Sequence, residues 1–454
     1  MIVAPGLIRG TSRYTRGRQI FSQLNPTRYV EPGVLASPFT ITRAQTAGVE
    51  SSGLSSDGVT WNLYGADTAR FFGTEQLLAI ETQRQNAIRN PRFQGTTPGI
   101  VGAGGVIPTR FVYQQGTNHT LEIIGVTTVN GLPTLEVEFV ATDAGQSVFS
   151  FELSSGVGLS ANSAYPFTVF AALTGGSLTN VDSQGIRFRV DATVAADGPL
   201  VPLLNLGPSL QRYDGIFLTA ASGQTAGRIQ YIWESTGAAT TRLQFAAPMI
   251  DRAFANYTGD LANVYNNTPI FPPVGTLTTT TRGVDNISAA LGDLGLSNLA
   301  QGTGCTVLWA GRFFKTSTTS FQTILAVDDG LSSPLDRIES RLTREGTIEL
   351  VHTIGGVLTL DTVRPAFVPA GQFVKVGMSI DPAGQVATVF SGFSNDVAIT
   401  AGPAAPSTPL TTLRLGGSTA SGGRPLLGET KALYVAPTAL NATDLSAALM
   451  AMPV

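Results

Sequence analysis

Four stretches decide the fold: TLEIIGV (120–126), TLEVEFV (134–140), QSVFSFEL (146–153) and YPFTVFAAL (165–173). The first two alternate apolar and polar residues, the period-two signature of a strand with one wet face. The third alternates more loosely. The fourth is an almost unbroken apolar and β-branched run bounded by turn residues, which suits a strand in a sandwich core. IRFRV (186–190), GIFLTA (215–220), RIQYIWE (228–234) and TRLQFA (241–246) continue the pattern, and clusters of Gly, Asn, Asp and Ser separate the runs. Eight strands without an intervening helical pattern predict an antiparallel sandwich or jelly roll. TVLWAG, QTILAV, RIESRL, TIELVHT, FVKVGMSI, QVATVF, TTLRLGG and KALYVA predict a second sandwich. The period then changes. ALNATDLSAALMAM places Leu445 and Leu449 four apart behind Asn441 or Thr443, which predicts a short capped helix.

The fold class expected is therefore all-β: two antiparallel β-sandwich (jelly-roll) domains, preceded by an extended N-terminal arm and a small β-rich anchoring region. The boundaries expected are 1–90 for arm and anchoring region, 91–255 for the first sandwich, 256–285 for a linker and 286–454 for the second sandwich with its terminal helix. Arg9, Arg13, Arg16, Arg18 and Arg28 precede the first acid, Glu31. An extended basic arm that docks on an acidic protein surface accounts for them, and so does a solvated terminus. LLAIETQRQNAIR (77–89) suits a short helix or an extended connector. The Asn-, Thr- and Pro-rich stretch 256–285 suits a linker, because Pro272–Pro273 cannot sit in a central strand.

Composition narrows the function. The 454 residues carry 28 Lys+Arg against 31 Asp+Glu, a net charge of −3, which argues against general nucleic-acid binding and broad electrostatic membrane attachment. Charged residues are 13%, about half the usual share of roughly 25%, and the scarcity of lysine fits either a surface largely covered by partners or a bias in genome base composition. Only Lys315, Lys375 and Lys431 are lysines. One cysteine, Cys305, excludes an internal disulfide framework, and two histidines, His119 and His352, leave little for zinc or a His-based triad. No secretory signal and no 18-residue apolar span is evident, so no membrane insertion is expected.

The candidate motifs are few. Glu136 and Glu138 in LEVEF lie two apart and share a strand face, the kind of pair a glycosidase needs, but two exposed strand carboxylates explain them as well. Asp328 and Asp329, with Asp336 and Arg337 downstream, suit either an Asx turn before Gly330 or a calcium site, so calcium is the one cofactor considered. Tyr257 and Tyr265, in a polar loop, are candidates for stacking on sugar rings. Phe271 is a weaker one, and Trp233 follows Ile229 and Tyr231 at spacing two, as a core stripe does. Cys305 has no base near it in sequence.

The linear order resembles that of fibre proteins of tailed phages and prophages. FTITRAQTAGVESSGLSSDG (39–58), ADTARFF (66–72) and LLAIETQRQNAIRNPRFQG (77–95) match a module of the form F-T-R-A-S, D-x-P-R-F and L-L-I-E-x-x-R-T-N-L-L-x-N-P. They do so at Thr42-Arg43-Ala44, Glu81, Arg84, Asn86 and Asn90-Pro91. Ile41 stands in place of the first Phe, and Ala69 in place of the Pro. TTTTRGVD (278–285) resembles the family's joint into a concanavalin A/laminin-G-like domain. The resemblance implies a carbohydrate-binding-like jelly roll followed by that domain. It also implies a structural or receptor-binding role in a tailed-phage or gene-transfer-agent particle, as a head or tail spike, a fibre or its base. No catalytic residue carries over, so no enzymatic activity is expected. The partners implied are other virion proteins bound through the arm (Arg9, Arg13, Arg16, Arg18), further copies of the chain as a trimer or pentamer, and host surface polysaccharide. A polysaccharide-degrading hydrolase or lyase, or a bacterial surface adhesin, are the alternatives.

Overall fold

The computed structural model describes all residues except 1–4, 44–47, 82–83, 154–156, 162, 191–195, 199, 204–205, 220–225, 252–269, 297–303, 315–320, 369, 382–385, 392–396, 402–408, 420–423 and 425. Strands dominate, and every paired strand runs antiparallel to its neighbour.

The first sandwich follows the expected alternation. One sheet has the order Gln211–Leu218, Ala164–Gly176, Ala239–Ile250, Leu132–Ala141, His119–Val129 and Gly99–Ile100. The facing sheet runs Val112–Gln114, Gly145–Ser150, Ala226–Ser235, Val181–Val190 and Ala196–Asp197, with two short strands alongside. In Leu132–Ala141, Leu135, Val137, Phe139 and Ala141 are buried while Glu136 and Glu138 point outward. The core between the sheets is aromatic. Phe188 stacks on Phe217 with centroids 4.8 Å apart, and Phe139 lies 5.5 Å from Trp233. Such pairs add about 0.5–1.5 kcal/mol beyond area burial.

The second sandwich is not confined to 286–454. Its larger sheet contains Gly428–Ala436, Cys305–Phe313, Phe373–Ile380, Val386–Ser391 and Val397–Ala401. Thr27–Glu31 and Leu77–Ile80 are both hydrogen-bonded to Gly428–Ala436 in that sheet. The other sheet runs Val357–Phe367, Thr347–Ile354, Arg337–Leu342, Gln322–Asp328, Thr412–Leu415 and Asn286–Ala290, and Thr40–Thr42 adds its edge strand. Val30, Phe39, Ile41, Phe71, Leu78 and Ile80 sit in the same core as Trp309, Leu350 and Leu433. The expected separate anchoring region is therefore corrected: strands from 27–80 belong to the C-terminal sandwich, and the first sandwich is inserted into it. Linker segments form the seam. Ile270–Phe271 pairs with Glu50–Leu54, and Thr280–Arg282 pairs with Arg84–Asn86. Arg84–Asn86 and Leu77–Ile80 resolve the 77–89 alternative in favour of an extended connector.

The expected extended arm is also corrected. Residues Pro5–Leu24 form a helix, α1, and Ala442–Ala451 form the second helix, α2, capped by Asn441, whose side chain accepts the amides of Thr443 and Asp444. α1 has poor intrinsic reasons to be helical, since it carries three glycines. Packing supplies them. Leu24 joins Leu445, Leu449 and Met452 over Leu308 and Ala310, and Phe21 meets Tyr434 edge-on at 5.4 Å. A Cβ at Gly17 would strike the carbonyl oxygen of Ala447, so glycine permits the close helix crossing. α2 also explains why Cys305–Phe313 is buried along nearly its whole length: one face meets the sandwich core, the other meets the helix.

Candidate functional site

The residues that carry the fibre-module resemblance converge in space. Arg43, Arg70, Glu81, Arg282 and Asp285 form one buried cluster where the strands of 40–86 meet the Thr280–Arg282 crossing. Arg70 Nη2 donates to Glu81 Oε2 at 2.8 Å and to Asp285 Oδ2 at 3.0 Å. Arg282 Nη1 donates to both Asp285 oxygens at 3.1 Å, its Nη2 lies 2.9 Å from Glu81 Oε2, and Arg43 Nε donates to Asp285 Oδ1. The backbone locks the two acids together, with Glu81 N donating to Asp285 Oδ2 and Asp285 N to Glu81 O. Burial alone would raise the Asp285 carboxyl, but the guanidiniums of Arg43, Arg282 and Arg70 outweigh it and hold the group well below the ordinary carboxylate range. Burial first, then Arg70, brings Arg282 down to about 10.

The other matched positions do the same kind of work. Asn86 Nδ2 donates to the carbonyls of Pro248 and Ile270, while its Oδ1 accepts the amides of Ile88 and Ile250. Asn90 ties Gln94 and Thr109 in the same way. Asp67 Oδ1 accepts the Arg43 amide at 2.6 Å, so the ADTARFF segment keeps its Asp and Arg contacts although Ala69 replaces the family's proline. The module is a joint, in which Arg70, Glu81, Asn86, Asn90, Arg282 and Asp285 each tie two or more chain segments. The Arg84 side chain lies outside the described residues.

The other sequence candidates are placed as follows. Tyr257 and Tyr265 lie outside the described residues. Trp233 and Phe271 are completely buried, so neither offers a face to a sugar. Asp328 accepts Gly330 N and pairs with Arg414. Asp329 accepts the amides of Leu331, Leu335 and Asp336. Their oxygens are engaged by internal donors, and no group of three or more His, Cys, Asp or Glu among the described residues suits a metal. These contacts fit the turn reading of this stretch. Adding calcium or a chelator is accordingly expected to leave the thermal midpoint unchanged in differential scanning calorimetry. Glu136 accepts from Thr174 and Glu138 pairs with Arg242 on the outward sheet face. Arg16 pairs with Asp444 across α1 and α2 at 2.7 Å, which makes it a helix clamp. Arg18 borders the groove at the foot of α1, and the side chains of Arg9 and Arg13 lie outside the described residues.

His119 is enclosed between Ser147 and Ser235, at 2.8 and 2.9 Å, with no carboxylate completing a relay among the described residues. Burial pushes the Cys305 thiol up to about 12, which makes it a poor nucleophile. His352 is buried on Thr347–Ile354, and burial pulls its imidazole down to about 4. The unfolded chain binds that proton near pH 6.5, so stability is fully present above this value. It is lost as pH falls toward about 4, by up to about 3 kcal/mol. Urea midpoints between pH 7.5 and 4.5 check this, and a flat profile counts against it.

Two surface features were not legible in the sequence. Where α1 and α2 meet Phe373–Ile380, two adjoining clefts of about 380 and 460 Å³ share Lys375, Met450 and Val454. Lys375 Nζ caps the end of α2 by donating to the carbonyls of Met450 and Met452. On the second sandwich, Phe321 is surrounded by three guanidiniums, with Arg341, Arg424 and Arg344 at 4.0, 5.3 and 5.4 Å from its ring centre. Arg341 pairs with Glu349 and Arg424 with Glu339, whereas Arg344 is exposed and has no carboxylate partner among the described residues. Their sequence positions, 321, 341, 344 and 424, gave no local signal.

No family model and no curated protein matches the chain. Among solved structures, it is similar to the CBM40 module of the Ruminococcus gnavus IT-sialidase bound to α2,3-sialyllactose, at 18% identity and a TM-score of 0.26, over 32% of this chain and 80% of that one. It is also similar to a heptameric SAP-like pentraxin from Limulus polyphemus (16%, 0.26, 33% and 70%). A third is the full-length tailspike protein 2 of Escherichia coli O157:H7 bacteriophage CAB120 (15%, 0.30, 37% and 23%).

Proposed function

We propose that this chain is a structural component of a tailed-phage-like particle, a head or tail spike or fibre or its base, that works by binding and not by catalysis. The observation that carries the proposal is the joint: the fibre-module residues Arg43, Glu81, Asn86 and Asn90 are buried and bind two or more segments each, together with Arg70, Arg282 and Asp285. A module spent on fixing the inserted sandwich to its host suits a display scaffold. In the particle, the N-terminal segment around α1 docks on a virion protein, and copies assemble as a closed oligomer, trimer or pentamer. The half-buried Phe321 ring with the exposed Arg344 guanidinium at its edge supports host polysaccharide as the outward ligand.

Two measurements test this. Particles made with a chain lacking residues 1–24 are expected to lose the protein, and unchanged incorporation seen by electron microscopy of purified particles excludes α1 as the anchor. The assembled oligomer is expected to bind a host-glycan array through many weak sites, with Arg344→Ala reducing the signal. A blank array with correctly assembled protein excludes the glycan role.

A further inference from the structure

The joint holds three guanidiniums and two carboxylates, all with side chains 0–1% exposed. Three described ion pairs beside the joint do not change this count. Arg312–Glu429, Lys431–Glu75 and Arg414–Asp328 are each balanced one to one. Asp67, which accepts the Arg43 amide, is exposed, so its charge is carried by solvent. The imbalance has an address. Arg43 spends Nε on Asp285, while its Nη1 and Nη2 are buried and meet no acceptor among the described residues. Buried donors without acceptors are costly, and buried unpaired charge more so.

We propose that a small monovalent anion of the halide class binds at Arg43 Nη1 and Nη2 and completes the joint. An enclosed water would satisfy one or two donors but leave the net charge of one. An anion does both, as a charge-assisted acceptor. The site is distinct from the surfaces invoked above and does not depend on a particle role.

The test uses the full chain at fixed ionic strength, exchanging sodium gluconate for sodium chloride or bromide. A ligand held only by the folded state raises the thermal midpoint by roughly 1.5–3 °C per tenfold increase once above its Kd. Arg43→Met removes the excess charge and is expected to abolish this dependence. A halide effect that persists in Arg43→Met is a general salt effect and overturns the proposal, as does no effect in the parent chain. Should Arg43→Met fail to fold, the parent chain crystallised from bromide decides alone. An anomalous peak within hydrogen-bond distance of the Arg43 guanidinium supports the site, and a peak-free joint overturns it.

Discussion

Asp285→Asn is expected to cost at least about 3–5 kcal/mol, because it leaves three buried guanidiniums facing the single carboxylate of Glu81. Asn keeps the shape and one acceptor oxygen, so the loss reports charge and not a cavity. Urea unfolding at pH 7 measures it, and a loss below about 1 kcal/mol excludes the joint as the structural hinge of the fold. Arg43→Met combined with Asp285→Asn returns the joint from a net charge of two to the parent excess of one. The double variant is therefore expected to recover part of the cost, a coupling that independent sites do not show. The pH behaviour has a definite sign. Because the folded-state value of Asp285 lies below its unfolded value near 3.9, its contribution is complete above that pH and is lost only in stronger acid. Acid loss between about 6.5 and 4 therefore belongs to His352, with the buried His119 acting in the same direction, and not to the joint.

The strands of both sandwiches were legible because each has its own local period: Leu135, Val137 and Phe139 announce one buried face without help from any other segment. The insertion was not legible. Thr27–Glu31 pairs with Gly428–Ala436 across some four hundred residues, and nothing in TRYVE states which edge it joins. α1 was misread as extended for a related reason, since its helical state comes from Gly17, Phe21 and Leu24 meeting α2 and not from its own propensities. The joint lay between these extremes. Arg43, Arg70, Arg282 and Asp285 look like scattered surface charges in a list of residues. Only the order of the fibre-like motifs marked Arg43 and Glu81, and that order said nothing of burial. Tyr257 and Tyr265 were singled out by a polar setting, a signal that Phe321 with its three distant arginines does not give.

The three tryptophans sit in three different packing clusters: Trp233 in the inserted sandwich, Trp309 in its host and Trp61 in the small cluster with Phe170 and Phe271 at the seam. Trp233→Ala is expected to cost about 3–5 kcal/mol, since the side chain is fully buried against His119 and Phe139 and donates to Thr241 Oγ1. Where that cost appears depends on the seam. The inserted and host cores share no residue, so contacts within each are stronger than those between them. The polar joint, rich in directional bonds but poor in apolar area, fixes orientation more than it transmits stability. Trp233→Ala is thus expected to lower the denaturant midpoint of the inserted sandwich while the Trp309 fluorescence transition stays in place, with Trp61→Phe removing the seam's signal. If the Trp309 transition moves by the same amount, the two sandwiches unfold as one cooperative unit. The joint then carries stability between them as well as geometry.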